Sequence, residues 1–111
     1  MGKSSQTKGK RVEYLLRDRL RELGFEDVKR GSVFQGTSDL VGLEGIHVEC
    51  KGVEKLNIRA ALAQAEEEAK KRNDGMPTVF SKTSRKPWIV TMNLDDWAKL
   101  YEAYLNRLPF E

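Results

Sequence analysis

Asp39 is followed ten residues later by Glu49-Cys50-Lys51, so that two acids and a lysine stand among short apolar runs punctuated by Gly42, Gly45 and Gly52. Val41-Gly42-Leu43 and Ile46-His47-Val48 read as strands, and Glu44-Gly45 reads as the tight turn between them. With a three-residue loop, Leu43-Glu44-Gly45, Gly42 pairs with Ile46 and Asp39 falls opposite Glu49, which puts both carboxylates on one face. Period-two alternation adds Lys51 to the face of Glu49 and turns Val48 and Cys50 toward an apolar layer. A two-residue loop would shift this register by one.

Two carboxylates held that close repel unless one is protonated or a cation lies between them. A hard divalent cation answers the problem, and oxygen ligands suit magnesium, or manganese in its place. Lys51 beside such an ion could steady charge building on a phosphate or orient an attacking water. The same residues also read as an Asp at a strand entrance and an exposed Glu-x-Lys ion pair, common on surface strands. The spacing alone does not separate these readings.

The elements that must position the triad alternate along the chain without repeat, linker or low-complexity block. A first helix is expected from about Lys8 to Leu23, with Val12, Leu15, Leu16, Arg19, Leu20 and Leu23 on one side and Lys10, Arg17 and Arg21 toward solvent. Glu13 lies on the border of that stripe. It is either a first-turn acid favourable to the helix dipole or a group reaching past the core toward the sheet. A short strand over 27–30 precedes a Gly-, Ser- and Thr-rich loop, 31–38, where Ser32 and Gln35 are either phosphate contacts or ordinary loop filling.

A second helix begins near Asn57 and ends around Asn73-Asp74-Gly75. Its stripe of Ile58, Ala61, Leu62, Ala65 and Ala69 is narrow enough for close packing, and Gln64 lies at the edge of that stripe, able to turn its amide toward the site. Glu66-Lys70, Glu67-Lys71 and Glu68-Arg72 are favourable pairs four apart on a solvated face. Strands are expected over 78–82 and 88–92, joined by the basic turn 83–87, with Trp88 either core or a stacking platform for a base. Asn93 reads as the N-cap of a last helix carrying Leu94, Trp97, Tyr101, Tyr104 and Leu105 near one face. That stripe reads as packing, and any exposed part of it as a dimer surface.

With 111 residues, 39% hydrophobic and 33% charged, the chain can build one small core. Residues 1–7 are expected to form a flexible basic tail ahead of a single domain over 8–111. Twenty basic and 17 acidic residues leave only +3, but Lys3, Lys8, Lys10 and Arg11 cluster without an acid, as do Lys82, Arg85 and Lys86. Either cluster could meet phosphates or simply be solvated. One cysteine excludes a disulfide framework within the monomer and fits a reducing cytoplasm. With one histidine besides, zinc ligation is disfavoured. No apolar stretch is long enough to span a membrane, and the N-terminus lacks the apolar core of a signal peptide.

From Lys8 to Lys51 the chain resembles the archaeal-type Holliday junction resolvases, members of the PD-(D/E)xK nuclease superfamily. The likeness runs in order through Lys8-Gly9-Lys10-Arg11-Val12-Glu13, Leu23-Gly24-Phe25, Arg30-Gly31-Ser32, Ser38-Asp39-Leu40-Val41 and Glu49-Cys50-Lys51. The second half is similar only in outline. The resemblance implies a restriction-endonuclease-like α/β core with a mixed, mainly antiparallel central sheet flanked by helices, in the order αβββαββα. It implies that Asp39 and Glu49, helped by the Cys50 backbone carbonyl, hold magnesium, with Glu13 completing the site, Lys51 as catalytic lysine and Ser32 positioning the scissile phosphate.

The activity implied is metal-dependent endonucleolytic hydrolysis of DNA, selective for branched structures and carried out by a homodimer. Lys8, Lys10, Arg11, Arg30, Lys82, Arg85 and Lys86 would then contact the DNA backbone. Ser38 stands where the motif expects proline, and the loop after Ser32 lacks the glycine-rich stretch expected of a resolvase. A phage or mobile-element endonuclease on duplex, flap or single-stranded DNA, and a non-catalytic DNA-binding module of the same fold, are the alternatives.

Overall fold

A computed structural model describes residues 2–31 and 39–108, with side chains from residue 9 onward. The order is α1 (Gly2–Glu22), β1 (Lys29–Arg30), β2 (Leu40–Val41), β3 (Ile46–Lys51), α2 (Ile58–Arg72), β4 (Met76–Ser81), β5 (Ile89–Met92) and α3 (Leu94–Arg107). The protein is thus α/β, with three helices, a mixed three-stranded sheet, β3-β4-β5, and a separate two-stranded ribbon, β1-β2. The expected mainly antiparallel central sheet does not form, because the β1-β2 pair stands apart and the longest ladder, β3-β4, is parallel. β3 and β4 run parallel, with α2 as the crossover that parallel neighbours require. β5 returns antiparallel to β4, and β1 pairs antiparallel with β2. Among the described residues no helix is long and apolar enough to cross a membrane.

α1 begins at Gly2 and not near Lys8, taking in the backbone of the segment expected to be a tail. That segment contains no proline, and adding turns to a helix already fixed by packing costs far less than nucleating one. Further along, Leu16 and Leu20 are buried with Val28, Leu40, Val48 and Phe80, and Cys50 and Trp88 pack against this cluster. Leu15 and Leu23, placed in the same stripe by periodicity, are instead exposed and line an apolar groove of about 560 Å³ with Phe80, Trp88 and Val90. Arg21 is exposed, as expected, and also donates from Nε to the Val28 carbonyl at 2.9 Å.

The other face of the sheet receives α2. Asn57 caps it by accepting from the Ala60 N–H at 3.1 Å, and Asn73 closes it at φ 50, in the left-handed region. Between the caps Ala61, Ala65 and Ala69 are buried. Side chains this small bring the helix close to Val79 of β4.

β2 and β3 are linked by a four-residue turn in which the Ile46 N–H bonds to the Leu43 carbonyl at 3.0 Å, with Gly45 at φ +84 in its third position. The central pair is therefore Glu44-Gly45, and the expected pairing of Gly42 with Ile46 does not form. Gly42 breaks the regular ladder, and β2 pairs with β1 while touching β3 through Asp39.

Gly75 opens β4 at φ +132, and a Cβ there would lie 2.5 Å from the Gly45 carbonyl carbon and oxygen. The Met76 N–H, 2.8 Å from that same oxygen, locks the two turns together. Gly75→Ala combines backbone strain with collision against rigid backbone, and should cost about 2 kcal/mol or more. Gly45→Ala, with positive φ but open space around it, should cost about 1 kcal/mol. Urea midpoints of the two variants check this order, and equal midpoints would refute the close approach.

Candidate active site

Alternation along β3 sorts its side chains cleanly. Val48 and Cys50 pack on the α1 side. His47, Glu49 and Lys51 share the opposite face, where Lys51 Nζ lies 3.8 Å from Glu49 Oε2 and donates to Gln64 Oε1 of α2 at 3.0 Å. A lysine held by a strand neighbour and a helix amide loses much of its rotamer freedom.

Asp39 enters from the side, immediately before β2. Its N–H donates to the Val48 carbonyl at 3.1 Å, and its Oδ2 accepts from the Cys50 N–H at 2.8 Å. The carboxyl is pushed up from 3.8 to about 6, first by burial and then by the charges of Glu49 and Glu13, against the hydrogen bond from Cys50 and the charge of Lys51. Burial also pushes the Cys50 thiol up, helped by Asp39, Glu13 and Glu49, which favours its neutral form.

Glu13 sits one residue after Val12, which meets Gly52 so closely that a Cβ on Gly52 would lie 2.5 Å from Val12 Cγ2. This contact anchors α1 over the end of β3. Glu13 nevertheless turns to Arg30, whose Nε donates to Glu13 Oε1 at 2.8 Å and whose guanidinium lies 5.0 Å from the Tyr14 ring centroid. Arg30, placed among the DNA contacts from sequence, is thus the partner of Glu13, and that pairing raises its pKa further.

The basic turn after β4 closes over the same end of β3. The Lys82 N–H bonds to the Lys51 carbonyl at 3.1 Å, and the Ser84 N–H donates to Glu54 Oε1 at 3.0 Å. Arg85 adopts φ 63, and Arg85 and Lys86 are exposed, as are Lys10 and Arg11 on α1. The side chain of Lys8, with Ser32, Gln35 and Ser38, lies outside the described residues. Trp88 is half-buried against the core.

Among the described residues no group of three or more His, Cys, Asp and Glu side chains is arranged to hold a metal ion. Glu13 does not join Asp39 and Glu49, because Arg30 has claimed it. The two remaining carboxylates and the Cys50 carbonyl are all oxygen donors, and the Asp39 carboxyl is raised chiefly by burial, with the charges of Glu49 and Glu13 adding to it. That donor set fits magnesium, which needs only one or two carboxylates and keeps water for its other positions.

Two residues escaped the sequence reading. His47, buried at 1% exposure, stands between Asp74 and Glu49. Burial opposes its charged form, but hydrogen bonds to Glu49 and Asp74 outweigh this and raise its pKa. Its parity with Glu49 and Lys51 was a usable signal, whereas the contact with Asp74 spans 27 residues and had none.

Neither a family model nor a curated protein sequence matches the chain with significance.

A carboxyl whose folded pKa exceeds its unfolded value binds its proton more tightly in the folded state, so stability falls as pH rises from about 4 to about 6 and stays reduced above. Asp39→Asn removes this burden. Melting temperatures measured in EDTA should place the variant above wild type at pH 7.5, by about 1–2 kcal/mol, with the gap closing near pH 4. A variant less stable than wild type at pH 7.5 would make Asp39 a structural cap for the Cys50 N–H.

Proposed function

We propose that this chain is a metal-dependent endonuclease with a restriction-endonuclease-like core, hydrolysing DNA phosphodiester bonds and selective for branched DNA. The observation that carries this reading is the convergence of Asp39, Glu49 and Lys51 where β2 meets β3, with two basic segments flanking that point. A bland surface ion pair would not need a half-buried Asp clamped to the backbone beside a buried Glu.

Asp39, Glu49 and the Cys50 carbonyl would hold magnesium. Bound there, the ion supplies charge stabilisation to a phosphoryl oxygen and lowers the pKa of a water. Lys51, drawn forward by Glu49 and Gln64, orients the nucleophile or steadies charge developing on the phosphate. Glu13, held by Arg30, lends a negative potential to the site from the α1 side. Lys10 and Arg11 before it, and Lys82, Arg85 and Lys86 on the β4–β5 turn, grip the sugar-phosphate backbone without reading sequence.

Paired nicks on opposing strands call for two copies related by a two-fold axis. The exposed apolar side of the molecule supports that arrangement. No residue of α3 is buried, and its Trp97, Tyr101 and Tyr104 stack in a ladder with centroids 5.2 and 6.3 Å apart. Val90 of β5 and Leu100 of α3 line one groove beneath it. A surface this apolar is characteristic of an interface.

Cleavage of a synthetic four-way junction, beside duplex, flap and single-stranded DNA, tests the chemistry. Wild type should nick the junction in pairs with magnesium and not with EDTA, and Asp39→Ala, Glu49→Ala and Lys51→Ala should each lose about a hundredfold or more. Cutting of every substrate alike would keep the nuclease and discard the branched target, while tight metal-free binding with no cleavage would indicate a binding module. Light scattering tests the assembly: wild type should be a dimer at micromolar concentration, and Trp97→Glu with Tyr101→Glu a monomer.

A further inference from the structure

Buried histidines are ordinarily satisfied by backbone or by one side chain, but His47 is occupied on both ring nitrogens by acids. Nδ1 lies 2.8 Å from Asp74 Oδ1 and Nε2 lies 3.4 Å from Glu49 Oε1. With a carboxylate against each nitrogen the ring plane has little freedom to turn. Asp74 is itself pinned, because it lies between the Asn73 helix cap and Gly75, whose backbone meets the Gly45 turn. Only 28% of its side chain is exposed.

The two oxygens of Glu49 are thereby divided. Oε1 is engaged by His47 from the Asp74 side, and Oε2 points the other way, toward Lys51. A free carboxylate on a strand samples several rotamers and would present either oxygen. Groups that hydrogen-bond a metal-ligating carboxylate from behind fix its orientation, and losing one typically costs ten- to a hundredfold in metal affinity.

We propose that Asp74 and His47 are positioning residues for metal binding, a relay running from the end of α2 that locks Glu49 with Oε2 turned toward the Asp39–Lys51 end of the site. The inference rests on the nuclease reading above, and its failure is separable from the failure of that reading. Neither residue touches the substrate. Their effect falls on how tightly the cation is held, and therefore on the magnesium concentration at which the enzyme works.

The experiment is titration of the full chain with Mn²⁺ followed by calorimetry and by the Mn²⁺ EPR signal, alongside the magnesium dependence of junction cleavage, for wild type, Asp74→Ala and Asp74→Asn. Asp74→Ala should weaken Mn²⁺ binding about tenfold and raise the half-saturating magnesium by a similar factor, with kcat at saturating magnesium nearly restored. Asp74→Asn, whose amide oxygen still accepts from Nδ1, should recover most of the affinity. Asp74 is preferred to His47 as the variant site because its side chain is partly exposed, whereas His47 is fully buried. Asp74→Ala binding Mn²⁺ as tightly as wild type, with only its melting temperature lowered, would overturn the relay and leave the nuclease standing. Wild type binding no Mn²⁺ would overturn the nuclease reading and the relay together.

Discussion

Everything at the centre of this molecule depends on how Asp39 is tied to β3. Its N–H and its carboxylate both bond to the β3 backbone, one to the Val48 carbonyl and the other to the Cys50 N–H. Those bonds join the β1-β2 ribbon to the three-stranded sheet where no regular ladder does. The residue that seams the two sheets is therefore the one that brings a carboxylate into the site. Seam and site cannot be separated, and the seam carries an unfavourable charge at neutral pH because burial disfavours the ionised acid. Stability is thus reduced at the point where two acids and a lysine meet.

The helices make that seam tolerable by fixing what surrounds it. α1 crosses the end of β3 where Gly52 offers no side chain to Val12, and so brings Glu13 near Asp39 while Arg30 holds its carboxylate. α2 approaches the other face on its alanines and brings Gln64 to Lys51. The Lys82 N–H ties the basic turn to the Lys51 carbonyl. The basic turn thus shares a hydrogen bond with the backbone of the lysine beside the acids, which couples the position of one to the other.

Much of this was legible in the sequence because it is local. The order of elements follows from alternation in β3, helical spacing in α2, and the caps Asn57 and Asn73. Asn93 also marks the start of α3, though its side chain makes no capping hydrogen bond. The faces of Glu49, Lys51, Val48 and Cys50 follow from period two alone. What stayed hidden depends on long-range contacts. Helical periodicity put Leu15 and Leu23 with Leu20, but could not reveal that the described residues leave both of them more than half exposed. It likewise gathered the aromatic side chains of α3 without saying whether a partner lay opposite. Arg30 had the composition of a phosphate contact, and only the fold brings it to Glu13 across 17 residues. The β2–β3 register failed for a smaller reason: a single irregular glycine, Gly42, is enough to break a ladder.

Among the described residues β5 lies at the outer end of the sheet order and pairs only with β4, with Ile89 and Val90 both exposed. Its far edge offers unpaired backbone groups to any extended chain that meets it, a liability for uncontrolled sheet growth. The strand is only four residues long, with Pro87 close before it and α3 beginning two residues after it ends. Proline cannot donate to a ladder, and a helix cannot continue one, so strand-by-strand growth is checked within a few hydrogen bonds. A strand this short limits how far backbone pairing along the edge could extend beside so apolar a side.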